Sequence, residues 1–189
     1  MRTPITPTRG YADLLRRRWD RMSEEKRASV LDTIEERANH LTRLVDDLLI
    51  AARASTDTQL SVDVQPMDLV AVVSEAAGSF PEADGRLTIE QSPPLPTIAD
   101  RTRVVQIIGN LVGNALKYTP AGTPIEISFG TGDPVEVRVT DHGPGIAANE
   151  QDRVFERFYR IEDPLTMRTG GSGLGLHISR ELARAMGGD

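Results

Sequence analysis

Two apolar seams in heptad register open the chain, and they constrain it more than any other feature. Ile5, Thr8, Ala12, Leu15, Trp19 and Met22 recur at spacings of 3, 4, 3, 4 and 3. Leu31, Ile34, Ala38, Leu41, Val45, Leu48 and Ala52 recur at 3, 4, 3, 4, 3 and 4. Residues three and four apart share one face of an α-helix, so each set forms a continuous stripe. Ser23, followed by Glu24 and Glu25, makes a helix start, with a capping hydroxyl and acids at the positive end of the dipole. The turn therefore falls within residues 20–23, and residues 1–55 read as an antiparallel helical hairpin. A lone hairpin leaves much of both seams in water, and pairing two of them into a four-helix bundle buries the seams. The pattern predicts homodimerisation.

Residues 56–65 are polar and stop at Pro66, as a linker does. From 66 to 189 the period is mixed. Asp68 can cap a helix carrying Leu69, Val72, Val73 and Ala76, residues 86–91 alternate like a strand, and residues 92–96 form a proline-rich connection. Asp100 can cap a long central helix. Residues 124–129 and 135–140 alternate apolar and polar positions around a glycine- and proline-containing turn, which predicts a β-hairpin. The fold class expected is α+β: a helical hairpin, half of a dimeric bundle, followed by a sandwich with helices on one face of a sheet. A net charge of −6 spread over mixed signs argues against nucleic-acid binding. The chain has no cysteine, which excludes disulfides and thiolate metal sites. No apolar run approaches the roughly 20 residues that span a bilayer, so a cytoplasmic setting is expected, with membrane attachment only through segments outside this chain.

The chemistry concentrates in the second module. In the stretch QIIGNLVGNALKY, residues 106–118, Asn110, Asn114 and Lys117 fall on one helical face among Ile107, Ile108, Leu111, Val112 and Leu116. Two neutral amides one turn before a lysine suit a site for a metal ion and polyphosphate, although taken alone the stretch favours an amphipathic helix with two solvated asparagines. Asp141, Gly143 and Gly145 follow the predicted hairpin. There a carboxylate can accept from the exocyclic amine of a flat base such as adenine while the glycines let backbone approach it, and a tight turn explains the same residues. Gly171, Gly173 and Gly175 lead into an amphipathic helix with Leu174 at its start, the composition of a phosphate cradle. Between these segments lie Phe155 and Phe158, expected as core anchors, and residues 161–169, a candidate lid.

Taken in order, Asn110, Asn114, Lys117 and Tyr118, then Asp141, Gly143 and Gly145, then Phe155 and Phe158, then Gly171, Gly173 and Gly175 strongly resemble the four motif boxes of sensor histidine kinases of two-component systems. The resemblance reaches the first module, where Arg2, Thr3 and Pro4 and then Arg9, Gly10, Tyr11 and Ala12 are similar to the family's dimerisation and phosphotransfer hairpin. It implies a Bergerat-type ATP-binding fold and ATP and Mg²⁺ as cofactors. Asn114 would be the Mg²⁺ ligand, Asn110 would lie beside the γ-phosphate and Lys117 on phosphate oxygens. Tyr118 would lie over the nucleotide, Asp141 would read the adenine amine, and Arg160 would reach the transferring phosphoryl group. The implied partners are a response regulator receiver domain and a second hairpin, from an identical chain or from one that bears the phosphoacceptor histidine.

The chain departs from the family pattern at both ends. The phosphoacceptor histidine would stand two positions before Met1, and His40, His142 and His177 do not replace it. The family also continues into two further strands beyond Asp189. Two expectations follow: a kinase module that phosphorylates a histidine on another chain, or a nucleotide-binding regulator that has lost transfer. Thr3 stands where the family places a residue that orients water for dephosphorylating the regulator, which gives the second expectation chemical content. The gyrase, mismatch-repair and chaperone ATPases carry an acidic general base where this chain has Asn110, so rapid hydrolysis is not expected.

Overall fold

A computed structural model describes residues 15–17, 19–53, 60–83, 85–161 and 172–189. Thr3, Gly171, the start of the first seam and residues 162–169 lie outside the described residues. The chain forms two compact units, Met1–Leu49 and Ile50–Asp189.

Helix α1 runs Glu24–Arg53, its residues up to Leu49 belonging to the first unit, after a single 3-10 turn at Trp19–Arg21, which puts the break where the sequence predicts it. The Ser23 hydroxyl accepts from the Lys26 N–H at 3.3 Å, the capping bond expected of that residue. The Arg27 side chain closes the turn, donating to the Trp19 carbonyl at 2.9 Å while its guanidinium lies 4.7 Å from the indole centroid. Along α1, Leu31, Val45 and Leu48 of the predicted seam are exposed, together with Leu49. A row of exposed large aliphatic side chains on one helix is the surface that a bundle partner would cover.

The second unit is built around helix α3, Arg101–Tyr118. A two-stranded antiparallel sheet pairs β1, Gln65–Asp68, with β3, Pro96–Ala99. The sequence pattern misses this pair, because Pro66 and Pro96 read as strand breakers. Proline is tolerated in a two-stranded edge where its missing N–H faces away from the partner. Asp68 does cap α2, Leu69–Gly78: its Oδ1 accepts from Val70 N–H at 3.1 Å and from Leu95 N–H at 2.9 Å, tying the helix start to the chain entering β3.

A second sheet has strand order β2, β4, β5, with β2 (Leu87–Ile89) parallel to β4 (Ile125–Gly130), and β4 antiparallel to β5 (Glu136–Asp141). The predicted hairpin is present, with Ile125 opposite Asp141 and Gly130 opposite Glu136. Alternation puts Ile125 and Ile127 in the core, and α2 and α3 cover that face. Val72, Val73 and Ala76 of α2, Val104, Ile108 and Val112 of α3, and Ile127 form one apolar cluster. Each such fully buried aliphatic side chain contributes about 1.5–3 kcal/mol. The other side of α3 packs against α4, Gly175–Ala185, where Leu174, Ile178 and Leu182 cluster with Ile50, Leu60 and Ile107. Helix α3 (Arg101–Tyr118) is thus clamped between two cores, which fixes the direction of the polar side chains between them.

Asp100 caps α3 as expected, its Oδ1 accepting from Arg103 N–H at 3.1 Å while Oδ2 accepts from Asp63 N–H at 2.9 Å. It is 8% exposed. Burial alone would push its carboxyl pKa up. The N–H groups of Asp63, Arg103 and Thr102 and the charge of Arg103 outweigh burial and hold it below the ordinary carboxylate value. A folded pKa below the unfolded one means that the stabilisation is fully present above the unfolded range near about pH 4 and fades as pH falls through the folded value. Asp100→Ala is expected to cost about 1–2 kcal/mol at neutral pH. In urea unfolding that cost should shrink at about pH 3, and an equal cost at both pH values would contradict the capping account.

Candidate functional site

The C-terminal end of α3 meets the end of β5. Thr119 follows the last helical residue, and its buried hydroxyl donates to Asp141 Oδ1 at 3.4 Å. Gly143 N–H donates to the same oxygen at 2.8 Å, so both bonds use Oδ1 and the carboxylate is oriented without occupying Oδ2. A Cβ at 143 would stand 2.8 Å from Asp141 Oδ1 and 3.2 Å from the Tyr118 carbonyl, so glycine here lets the carboxylate keep its position. The exposed carboxylate of Asp141 therefore stands, pre-oriented, beside main chain that carries no side chain. Beside it, Lys117 Nζ donates to Tyr118 Oη at 2.8 Å and lies 4.5 Å from the ring centroid.

Two turns back along α3, Asn110 Nδ2 donates to the Gly175 carbonyl at 3.2 Å and lies 3.3 Å from Ser179 Oγ. Asn110 thus joins α3 to the first turn of α4, and Asn114, half-buried, lies between it and Lys117 on the same face. The first turn of α4 contains no acidic residue, and Leu174 at its start makes no side-chain cap. Leu174 is itself buried in the apolar cluster, so at that position only main chain can face a ligand.

The segment 153–160 closes the arrangement from a third direction. A 3-10 turn at Arg153–Phe155 leaves Phe155 half-buried, with the Arg180 guanidinium 4.8 Å from its ring centroid. Phe158 is not the core anchor expected: it is 61% exposed and sits at φ +62°. The reason is backbone. Phe158 N–H donates to the Gly173 carbonyl at 3.0 Å, and Gly173, at φ +71°, packs so closely that a Cβ there would stand 2.8 Å from Phe158 C and from Tyr159 O. Tyr159 Oη donates to the Glu150 carboxylate while Arg153 stacks 4.3 Å from its ring centroid. The bond to Glu150, helped by desolvation, raises the phenol pKa although the Arg153 charge works against it. Arg160 is exposed at the end of this segment.

Most of the residues singled out by sequence converge on α3, directly or through α4: Asn110, Asn114, Lys117 and Tyr118 on the helix, Asp141 and Gly143 at its C-terminal end, and Gly175 against Asn110, while Gly173 packs instead against Phe158. Gly145, at φ +73°, continues the turn after Asp141. Sequence reasoning missed Thr119, Ser179 and Ser172, whose Oγ accepts from Leu174 N–H at 3.3 Å. Ser179 was within reach, standing four residues after Gly175 on one helical face. His142 is exposed, 3.8 Å from Glu126.

Chemically the site suits a nucleotide. It offers an oriented carboxylate acceptor, glycines at close approaches, an aromatic ring with an adjacent ammonium, and an acid-free helix start. Among the described residues no three His, Asp or Glu side chains cluster to hold a metal ion. A divalent cation here would rely on phosphate oxygens, its own waters and a neutral amide oxygen. Among the described residues no helix is long and apolar enough to cross a membrane.

Comparison with known proteins agrees with this geometry. Residues 99–189 match the family described as histidine kinase-, DNA gyrase B-, and HSP90-like ATPase, and residues 1–57 match the His Kinase A (phospho-acceptor) domain. The chain is 33% identical over 194 residues to the alginate biosynthesis sensor protein KinB of Pseudomonas aeruginosa, covering 100% of this chain and 32% of KinB. It is 33% identical over 193 residues to the signal transduction histidine-protein kinase BaeS of Escherichia coli, covering 100% of this chain and 40% of BaeS. Among solved structures, that of full-length ShkA in complex with AMPPNP superposes with a TM-score of 0.68 at 34% identity, over 88% of this chain and 35% of that one. The chain therefore spans well under half the length of these relatives.

Proposed function

The chain belongs to the sensor histidine kinases of two-component systems, and from that premise we propose that it is their dimerising, ATP-binding core, which binds Mg-ATP and delivers a phosphoryl group to a histidine on a partner chain. Residues 1–55 serve as the dimerisation and phosphotransfer hairpin, 56–65 as linker and 66–189 as the catalytic domain. The observation that carries the reading is the meeting of three segments at α3: the turn at Asp141 and Gly143, the start of α4 at Gly175, and, through Gly173, the segment ending in Arg160.

Each described residue has a role that its surroundings support, and Thr3 and Gly171 take theirs from the motif alone. Asp141 accepts from the adenine amine through Oδ2, while Gly143 and Gly145 let backbone lie against the base. Tyr118 covers the nucleotide, and Lys117, already held at its hydroxyl, binds phosphate oxygens. The main chain of Gly171, Gly173, Leu174 and Gly175 faces the phosphates at the acid-free start of α4. Asn110 orients that helix start and lies beside the terminal phosphate, Asn114 supplies a neutral oxygen to Mg²⁺, and Arg160 offsets charge on the group in transfer. Bound ATP supplies the phosphoryl group, and the metal offsets its charge. Thr3 would position the water that hydrolyses the phosphoryl group of a response regulator, releasing inorganic phosphate. The exposed aliphatic row on α1 is the dimer seam, and the use of ATP fits a cytoplasmic setting.

Asn114→Ala tests the metal role. It is expected to weaken Mg-ATP binding by about 1–2 kcal/mol while leaving metal-free nucleotide nearly unchanged. Calorimetric titrations with and without Mg²⁺ decide this, and equal losses in both would remove Asn114 as a ligand.

A further inference from the structure

Arg86 stands just before β2, outside every motif segment, yet both its side chain and its main chain bond to the stretch that joins α3 to β4. Its Nε donates to the Thr123 carbonyl at 2.9 Å and its Nη2 to the Pro120 carbonyl at 3.1 Å. Its own carbonyl accepts from Ile125 N–H at 2.8 Å. A guanidinium is a planar fork of fixed donors, which suits two carbonyls three residues apart. The turn it grips is exposed at Pro120, Ala121 and Gly122, with Gly122 at φ +82°, and its internal bond runs from Thr123 N–H to the Pro120 carbonyl at 3.2 Å. A turn in water with such a bond is weakly held by itself, and Arg86 adds two charge-assisted bonds to it.

Both ends of the gripped stretch bear on Asp141. At one end Thr119 leaves α3 in extended backbone, at φ −94° and ψ 136°, and its hydroxyl donates to Asp141 Oδ1. At the other end Ile125 stands opposite Asp141 in the ladder between β4 and β5. The direction in which the chain leaves α3 therefore aims the Thr119 hydroxyl, and the start of β4 holds the backbone that carries the carboxylate. We propose that Arg86 is a positioning residue for adenine recognition: by holding residues 120–125 it sets Thr119 and Ile125 against Asp141, and so fixes where Oδ2 meets the base. The proposal rests on reading Asp141 as the adenine acceptor. A carboxylate in that place accepts from the adenine amine and repels the carbonyl oxygen that guanine carries at the equivalent position. The residues read as holding phosphate lie elsewhere: Asn110 bonds to the first turn of α4, and Lys117 bonds to Tyr118. Loss of the Arg86 clamp thus acts on base discrimination rather than on the grip on the triphosphate.

Arg86→Met keeps an unbranched apolar stem and removes every donor, and Arg86→Lys restores a cationic donor without the fork. Displacement of a fluorescent ADP by ATP and by GTP, with Mg²⁺ present, gives the ratio of the two affinities in each protein. The ratio should fall about fivefold in the Met variant, through weaker ATP binding with GTP binding kept, and about twofold in the Lys variant. Thr119→Val removes the hydroxyl alone, and in that background Arg86→Met should lower the ratio by less than it does in the wild type, because part of its effect runs through that hydroxyl. Equal losses for both nucleotides, with the ratio unchanged, would reduce Arg86 to a structural residue and overturn the proposal, and so would full additivity with Thr119→Val. If circular dichroism shows the Met variant unfolded, the Lys variant decides on the same ratio, and an unchanged ratio there overturns the proposal. A wild type that binds ATP and GTP alike would instead remove Asp141 as the reader of adenine, and the proposal would fall with that reading.

Discussion

Replacing Gly173 with alanine is expected to abolish measurable nucleotide binding while leaving the helices folded. Gly173 is at φ +71°, where an L side chain costs about 1–2 kcal/mol on its own. The larger effect is collision, because the new Cβ would lie 2.8 Å from backbone atoms of Phe158 and Tyr159, and backbone cannot rotate away as the tip of a flexible side chain can. Relief requires Phe158 and Gly173 to separate, which breaks the 3.0 Å bond between them and opens the main chain leading into α4. The paired control is Gly78→Ala, since a Cβ there meets nothing within 4 Å. Circular dichroism should show both variants helical, and titration with an ATP analogue should show binding only in the control. Normal affinity in the Gly173 variant would mean that the close approach does not shape the phosphate site.

Removing the Asp141 carboxylate is expected to have the next largest effect on binding. Asp141→Ala leaves the adenine amine without its acceptor at a cost of about 1–3 kcal/mol, which is about a 5- to 150-fold loss of affinity. It also frees Gly143 N–H and the Thr119 hydroxyl, both of which use Oδ1. Asp141→Asn separates these contributions, because its amide oxygen can keep the bonds to Gly143 and Thr119 while its NH₂ faces the base as a donor. Preference for adenine over guanine nucleotides should fall in the Asn variant even where the turn is kept. Calorimetry that finds equal ATP affinity in wild type and both variants would take the adenine role from Asp141.

Much of this was legible in the sequence wherever one residue's chemistry decides its own position. Asp68, Asp100 and Ser23 cap the helices expected of them, because an N-cap needs only a side chain and the next few N–H groups. The β4–β5 hairpin followed from alternation and its turn. What was not legible depends on partners distant in sequence. β1 and β3 form because two proline-containing strands meet across about thirty residues, and no local pattern announces that. Phe158 looked like a core anchor because it is aromatic, yet its place is set by a backbone bond to Gly173 that turns the side chain out to solvent. Within the candidate site, the motif residues can be named from the sequence, and the hydroxyls of Thr119 and Ser179 that face Asp141 and Asn110 cannot, since a serine or threonine gains such a partner only from what the fold sets against it.

The most direct test of the account is phosphoryl transfer between chains. Labelled Mg-ATP is incubated with this chain alone, and again with a hairpin bearing the sequence His-Glu-Leu-Arg-Thr-Pro and the same heptad seams, so that the two share one bundle. The account predicts acid-labile label on the histidine of the added hairpin and none on this chain alone, with transfer falling in step with nucleotide affinity in the Gly173 and Asp141 variants. Tight nucleotide binding with no label on any hairpin would contradict it, and would assign the chain instead as a nucleotide-binding regulator that does not transfer phosphate.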